Sequence, residues 1–290
     1  MDVSIIIVNY NTRQLLANCL ASIFKETRDV SYEVIVVDNA SSDGSRDFIC
    51  LLYPQVIWIN SGENLGFGRA NNLGVKNAKG EYLFFLNSDT ILLNNAIKVF
   101  WEYVHMHAND RLGVIGGWLL DSQKNVNSSY GFFPNAKNEI KYLLGRTVIH
   151  KDNLTITEKD VDYVIGADMF IKRDLFDQIQ GFDDKIFMYY EETDLQLRIA
   201  RLGLLRRIIP GPQIIHLEGC SFQNKGLTVR RFLMSQRSYN YYLYKHYNGL
   251  SYFYNRLVLV LIRLTVFVNT AWSLKDKIMA YAAVFETGKR

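Results

Sequence analysis

Four short apolar runs alternate with helical patterns in the first third of the 290-residue chain. The runs cover residues 4–8, 33–37, 56–60 and 82–86, and amphipathic or capped segments separate them. Strands that alternate with helices in this way form a mostly parallel sheet covered by helices on both faces. The alternation therefore predicts an α/β, Rossmann-like fold whose ligands bind beyond the carboxyl ends of the strands.

Polar residues follow the first, second and fourth predicted strands, where they would converge at one edge of the sheet. They are Asn9, Tyr10 and Asn11, then the turn at 38–45, and then Asn87, Ser88 and Asp89. A short acidic turn after a buried strand can hold a divalent metal against a diphosphate. A second acidic cluster about a hundred residues later, at 191–194, can supply a base. Together these features indicate transfer of a group from a nucleotide donor.

The composition favours one large domain with an appendage. Hydrophobic residues make up 49% of the chain, which is enough for a well-buried α/β core. Cys19, Cys50 and Cys220 have neither metal-ligand nor redox spacing, as is typical of proteins in a reducing compartment. No basic leader precedes the first apolar run, so we expect the catalytic part to be cytoplasmic.

Charge is distributed unevenly along the chain. Residues 225–290 hold 11 Lys and Arg against two acidic residues, a net of +9, whereas residues 1–224 have a net charge of −5. The apolar run at 257–268 contains Arg263 and is shorter than the ~20 residues that span a bilayer. We therefore expect helices lying on the anionic inner face of the cell membrane. The alternative is packing on the catalytic domain or on a second subunit of a homodimer.

The basic tail also offers cations for an anionic ligand. Five residues are candidates for binding the diphosphate of a lipid-linked acceptor: Arg230, Arg231, Arg237, Tyr239 and Lys245. Nucleic acid is not an expected partner, because a surface that tracks phosphates does not need the apolar run.

Five motifs follow one another in an order that resembles family 2 glycosyltransferases, and especially their bacterial rhamnosyltransferase-like branch. They lie at 8–11, 37–45, 64–72, 85–89 and 181–195. The resemblance covers about residues 2–245 and implies a GT-A fold, a nucleotide-sugar donor, Mg²⁺ or Mn²⁺, and inversion at the anomeric carbon. We expect a catalytic domain at 1–225, divided into a nucleotide-sugar half at 1–120 and an acceptor half at 121–225. A basic, aromatic and amphipathic helical extension at 226–290 would follow.

Several residues are candidates for binding the nucleotide sugar. Asp38 can accept a hydrogen bond from the imide N–H of uracil or thymine, a contact that the resemblance implies; the alternative is an N-cap for the next helix. Arg69 can pair with a phosphate or with a nearby carboxylate. In similar enzymes the residue at Asp168 lies near the sugar or acceptor. The other candidates are Asn9, Tyr10, Asn11, Asn39, Gly66, Asn87, Ser88 and Asp89.

The resemblance implies a metal site at Asp89 and His216. A hard cation takes carboxylate oxygens and stabilises a leaving diphosphate. Asn87 stands where the family more usually has Asp, which leaves Asp89 as the expected direct ligand. An imidazole at His216 suits Mn²⁺, although a histidine beside a strand is also common as a structural residue.

Glu192 is the candidate general base, because inverting transfer needs a carboxylate that takes the proton of the acceptor hydroxyl. It replaces an Asp of the family, and its extra methylene extends its reach by ~1.5 Å. Glu191 and Asp194 remain alternatives, and a solvated helix N-terminus would also account for part of this acidic cluster.

The resemblance favours transfer of rhamnose from dTDP-rhamnose onto a cell-surface glycan or a polyprenyl-diphosphate-linked acceptor. The alternatives are a UDP-hexose or UDP-galactofuranose donor, or a catalytically silent GT-A scaffold at the membrane. Acceptor specificity is expected in the polar segment 123–160, which has the composition of a variable loop.

Overall fold

A mixed sheet of nine strands lies at the centre of the computed structural model, which describes residues 1–145, 156–217 and 228–288. The strands of the described chain are β1 (Val3–Asn9), β2 (Tyr32–Asp38), β3 (Ile57–Asn60), β4 (Tyr82–Leu86), β5 (Thr90–Leu92), β6 (Leu112–Leu120), β7 (Tyr130–Gly131), β8 (Lys159–Asp160), β9 (Tyr163–Val164), β10 (Asp168–Lys172) and β11 (Leu205–His216). The spatial order in the central sheet is β3-β2-β1-β4-β10-β6-β11-β5, with β8 on β11. A separate pair is formed by β7 and β9.

Helices cover both faces of the sheet. They are α1 (Arg13–Glu26), α2 (Ser45–Leu52), α3 (Phe67–Val75), α4 (Ala96–Met106), α5 (Ala136–Leu143), α6 (Arg173–Gln178), α7 (Glu191–Arg201), α8 (Val229–His246), α9 (Gly249–Arg263) and α10 (Leu274–Ala282), with 3-10 turns at Leu264–Val268 and Ala283–Phe285. Residues of α1 and α4 belong to the core on one face, and residues of α3, α6 and α7 belong to the core on the other. The predicted α/β class is therefore confirmed.

The four strands predicted from the sequence form the parallel half of the sheet. β1 pairs in parallel with β2 and β4, and β2 pairs in parallel with β3. Ile5, Ile6 and Ile7 are all fully buried, as a central strand covered on both faces requires. Beyond β4 the sheet becomes mixed, because β10 is inserted antiparallel between β4 and β6.

The C-terminal helices pack on the α/β body, which was the alternative that the sequence left open. The ring of Tyr190, just before α7, stacks on Tyr239 of α8 with centroids 5.1 Å apart. Ser238 donates a hydrogen bond to the carbonyl oxygen of Met188 over 2.8 Å. The expected boundary at 225, like Cys220, lies outside the described residues.

The apolar segment of the tail is longer than the sequence analysis expected. Gly249–Val268 is a helical segment of 20 residues with a mean hydropathy of 1.4, long and apolar enough to cross a membrane by length and composition alone. The expectation of a run too short to span is therefore wrong on length, since the helix begins eight residues before Leu257. Its two cations face α8: Arg256 donates to Asn240 over 2.6 Å and Arg263 to Gln236 over 2.9 Å.

A buried cluster of charges joins α7 to α8. The fully buried carboxylate of Asp194 lies 2.9 Å from Arg198, 2.7 Å from Lys245 and 2.7 Å from Nε2 of His246. Burial alone would raise the pKa of Asp194, but the hydrogen bond from His246 and the charges of Arg198 and Lys245 lower it to about 2. Burial lowers the pKa of His246, which favours a neutral ring with its proton on Nε2. We call Asp194, Arg198, Lys245 and His246 the α7–α8 clamp.

Asp194→Asn should destabilise the protein by about 3 kcal/mol, because it removes the fully buried charge that Arg198, Lys245 and His246 share, although Lys245 keeps its ion pair with Asp183. Urea unfolding measures the difference in the free energy of unfolding between the variant and the wild type. This difference should shrink as the pH falls from about 4 towards 2, because Asp194 of the wild type then becomes protonated. Glu81→Gln is the matched control, because Glu81 forms a solvent-exposed ion pair with Lys172 at 3.6 Å. It should change the free energy of unfolding by less than ~0.5 kcal/mol. Equal, small effects of the two changes would contradict this role of the clamp.

Candidate active site

A cavity of about 540 Å³ lies at the carboxyl ends of β1 and β4. Most of the predicted site residues line it: Tyr10, Asn39, Gly66, Asn87, Ser88, Asp89, Glu191, Glu192 and His216. Asn9, Asn11, Asp38, Arg69, Asp168 and Asp194 are not among the described residues that line it. We call this space the active-site cavity.

Asn9 and Asn11 shape the turn after β2. Nδ2 of the buried Asn9 donates to Asp38 over 2.9 Å and to Ser41 over 3.0 Å, because β1 and β2 align Asn9 with Asp38. Asn11 accepts a hydrogen bond from the backbone N–H of Ser42 over 2.8 Å. The N-cap of α2 is Gly44, so Asp38 does not cap that helix. The nucleotide-contacting role of Asp38 remains a prediction.

The loop before α3 forms one wall of the active-site cavity. Asn39 donates to Asn64 over 3.0 Å and accepts from the backbone N–H of Leu65 over 2.8 Å. Gly66 has φ +81°, and a Cβ atom there would lie 1.9 Å from the carbonyl oxygen of Phe187. Glycine is thus required at this position, because the loop before α3 closely approaches the loop that contains Phe187.

Arg69 lies half-buried on α3 and makes neither a hydrogen bond nor an ion pair with any residue that the structure describes. The salt bridge that the sequence allowed for Arg69 is thus not formed within the described ranges. Its pairing with a phosphate remains a prediction.

Asp89 and His216 converge at the carboxyl edge of the sheet. Nε2 of His216 lies 3.4 Å from Oδ1 of Asp89 and 3.4 Å from Nδ2 of Asn87. The antiparallel pairing of β11 with β5 aligns His216 with Thr90 and so produces this proximity. Both side chains are largely buried, and Nδ1 of His216 has no hydrogen-bond partner within the described chain.

The residues present at this point fit a divalent cation. One carboxylate and one imidazole suit Mn²⁺, and Mg²⁺ or Mn²⁺ commonly completes its coordination with substrate phosphates and water. The described residues contain no group of three His, Cys, Asp or Glu side chains that could hold a metal without such a substrate. Asp89 and His216 would therefore hold the cation together with a donor diphosphate.

Two of the three acidic candidates face the active-site cavity from the first turn of α7. Glu191 is 5% exposed, and its Oε2 atom has no hydrogen-bond partner among the described residues. Burial and the neighbouring Glu192 raise the pKa of Glu191 well above its usual range, and burial also raises the pKa of Glu192. Asp194 points to the α7–α8 clamp instead, so the structure does not bring it to the cavity.

The turn that delivers these carboxylates is strained. Tyr189 and Tyr190 adopt φ values of 67° and 68°, in a left-handed region that side chains disfavour. The stacking of Tyr190 on Tyr239 and a 3.1 Å hydrogen bond from Arg231 to the Tyr189 hydroxyl hold the turn. Because both partners belong to α8, the tail positions Glu191 and Glu192.

Asp168 lies beneath the active-site cavity. Its carboxyl is fully buried against Gly116 and Gly117 of β6 and accepts a 2.7 Å hydrogen bond from the N–H of Gly117. Burial raises the pKa of Asp168 well above its usual range, so the protonated form is favoured. Ala167, the preceding residue, lines the cavity.

Sequence reasoning missed several residues of the site. Thr12 lines the cavity, and its hydroxyl donates to Oδ1 of Asn9 over 2.7 Å and lies 3.0 Å from the hydroxyl of Ser88, which can donate to it. Its place just after the Asn9–Asn11 turn was a signal for it. Phe187 and Tyr189 also line the cavity, but no local pattern marks a loop residue as a cavity wall.

The sheet order, the helical layers and the acidic edge define a GT-A glycosyltransferase. A crystal structure of GalNAc-T7 with UDP, GalNAc and Mn²⁺ matches 100% of this chain with a TM-score of 0.65 at 14% identity, and the chain spans 55% of that protein's length. Residues 4–180 match the sequence model of the family described as Glycosyl transferase family 2. The chain therefore belongs to glycosyl transferase family 2.

Two relatives point to one branch of this family. The N-acetylglucosaminyl-diphospho-decaprenol L-rhamnosyltransferase of Mycobacterium tuberculosis is 27% identical in an alignment 233 residues long that covers 73% of this chain and 75% of the relative. The rhamnosyltransferase WbbL of Escherichia coli is 29% identical in an alignment 227 residues long that covers 74% of this chain and 83% of the relative. The protein is a rhamnosyltransferase-like member of the family.

Proposed function

We propose that the protein transfers rhamnose from dTDP-rhamnose, with inversion and a divalent metal, onto a lipid-linked precursor of a cell-surface glycan. One observation carries this proposal: Glu192 lines the same cavity as Asp89 and His216. A base and a site for the leaving diphosphate are the two parts that an inverting transfer needs. The two rhamnosyltransferase relatives support the choice of sugar.

In the proposed reaction Glu192 accepts the proton of the acceptor hydroxyl. The hydroxyl oxygen forms a bond to the anomeric carbon while the bond from that carbon to the diphosphate oxygen breaks, and dTDP leaves with the electron pair. Asp89 and His216 would hold Mg²⁺ or Mn²⁺, which when bound neutralises charge on the leaving diphosphate. The raised pKa of Glu192 suits its role, because a base accepts protons best when its pKa is near the working pH.

Glu192→Gln should lower kcat by roughly 10²- to 10⁴-fold, the usual contribution of a general base, without weakening donor binding. In the wild type, kcat/KM should rise with pH as Glu192 loses its proton, with a midpoint above the ordinary glutamate value of about 4.3. Glu102→Gln, on the exposed face of α4, is the control and should leave the rate unchanged. Full activity in a folded Glu192→Gln enzyme would show that Glu192 is not the general base.

dTDP-rhamnose with Mn²⁺ should raise the Tm of the purified protein, and Asp89→Asn should abolish the part of the shift that a chelator removes. Asp177→Asn, at an exposed position on α6, should keep the full shift. A Tm shift with UDP-hexose or UDP-galactofuranose instead would show that the donor is a UDP-sugar, and the protein would still be a glycosyltransferase. No shift with any nucleotide sugar would favour a silent scaffold.

We further propose that the enzyme works at the cytoplasmic face of the membrane, held there by one apolar surface of its tail. Leu250 is 87% exposed, and Phe253 and Leu257 extend the exposed surface along α9. Leu274 and Ile278 of α10 are also exposed, and the exposed Lys275 lies between them. We call the exposed apolar residues Leu250, Phe253, Leu257, Leu274 and Ile278 the apolar tail face. The contacts of Arg256 and Arg263 with α8 favour a helix lying on the membrane over one that crosses it.

The double variant Leu250→Asp and Phe253→Asp should reduce sedimentation with vesicles that contain anionic phospholipid by at least roughly tenfold, because it puts two charges into the apolar layer. Leu51→Asp, at an 81% exposed site on α2, should sediment like the wild type. If the wild-type protein is a dimer in light scattering and does not sediment with vesicles, the apolar tail face is a contact between subunits instead.

A further inference from the structure

A second cavity, of about 490 Å³, lies beside the active-site cavity. Its lining is mainly apolar and includes Phe187, Leu233, Met234 and Met279, with Arg230 among them. Phe187, Arg230 and Met234 also line the active-site cavity, so the two spaces share a wall. We call the second cavity the α8 groove.

We propose that the α8 groove binds the diphosphate and first isoprenoid units of a polyprenyl-diphosphate-linked acceptor. This inference rests on the proposed function, and it assigns a site to the lipid part of the acceptor class that the proposed function names. A ligand in the groove would meet the cavity at Arg230 and Met234. Its sugar could then extend towards Glu192.

Arg230 is the cation of the groove that is open to an anion. It is exposed at the start of α8 and makes no hydrogen bond or ion pair to any residue in the described ranges. The other arginines nearby have partners: Arg237 lies 3.0 Å from Glu286, and Arg231 donates to Tyr189. An arginine fork can bind a diphosphate through two parallel hydrogen bonds.

The apolar part of the groove fits a hydrocarbon chain. Val229, Leu233 and Arg237 are spaced one helical turn apart, as are Arg230, Met234 and Ser238, so the groove follows one face of α8. Met279 of α10 closes the groove and adjoins Ile278 of the apolar tail face. In this proposal the groove leads from the membrane surface at α10 to the active-site cavity, which is the path that a membrane-embedded lipid needs to present its headgroup.

Farnesyl diphosphate, inorganic diphosphate and farnesol test this inference by calorimetric titration into the full-length protein. Farnesyl diphosphate should bind at least tenfold more tightly than either of the others, because it alone engages Arg230 and the apolar wall together. Arg230→Gln should weaken farnesyl diphosphate about tenfold and leave farnesol unchanged. Leu233→Asn should weaken the binding of both farnesyl diphosphate and farnesol. If the Leu233→Asn protein does not fold, Met279→Gln changes the same apolar wall at a second position.

Matched controls lie far from the groove. Arg28→Gln, in the exposed turn after α1, and Leu51→Asn, on α2, should bind all three ligands like the wild type. Equal binding of inorganic diphosphate and farnesyl diphosphate would reduce the groove to an anion site and overturn the inference.

Donor binding in the same protein samples separates this inference from the proposed function. If dTDP-rhamnose binds with Mn²⁺ but farnesyl diphosphate does not, the groove assignment fails and the proposed function stands. If Arg230→Gln weakens dTDP-rhamnose rather than farnesyl diphosphate, Arg230 belongs to the donor diphosphate and the inference is overturned. Absence of donor binding would count against the proposed function itself, while the farnesyl diphosphate titration still reports on the groove.

Discussion

The packing of α8 against α7 is the constraint on which the site depends. The α7–α8 clamp fixes the first turns of α7, and the stacking of Tyr190 on Tyr239 holds the left-handed turn before them. Both contacts act within a few residues of Glu191 and Glu192. Strained backbone of this kind persists only where surrounding structure over-determines it, and here that structure is the tail. The tail is therefore part of the structure that positions the carboxylates facing the cavity.

The other half of the site depends on the order of strands. Asn87 and Asp89 follow β4 in the parallel half of the sheet, whereas His216 ends β11. Because β11 pairs antiparallel with β5, an imidazole more than a hundred residues away comes within 3.4 Å of Asp89. Asp89 in the turn between β4 and β5 and His216 at the end of β11 thus lie on the sheet side of the cavity, whereas Glu191 and Glu192 reach it from a helix.

The two departures from the family pattern fall on opposite sides of the cavity. In the proposed metal site, Asn87 in place of Asp would leave fewer anionic protein ligands for a cation, and a donor diphosphate would supply a larger share of the coordination. Glu192 lengthens the side chain on the base side. Glu191 beside it is buried, and its raised pKa favours the neutral form, in which its carboxyl can donate a hydrogen bond. Burial raises the pKa of both adjacent acids, and the charge of Glu192 adds to the rise at Glu191.

The sequence by itself determined the first four strands, the helices between them, the family and the group of polar turns at one edge of the sheet. These follow from local periodicity and motif order, which a linear chain carries directly. Tertiary structure alone decided that β10 inserts antiparallel, that the tail packs on the body, and that Asp194 turns into the clamp while Glu192 faces the cavity. Three acidic residues in one helical turn look alike in sequence, and only the packing around the helix decides which of them meets basic side chains and which faces the cavity.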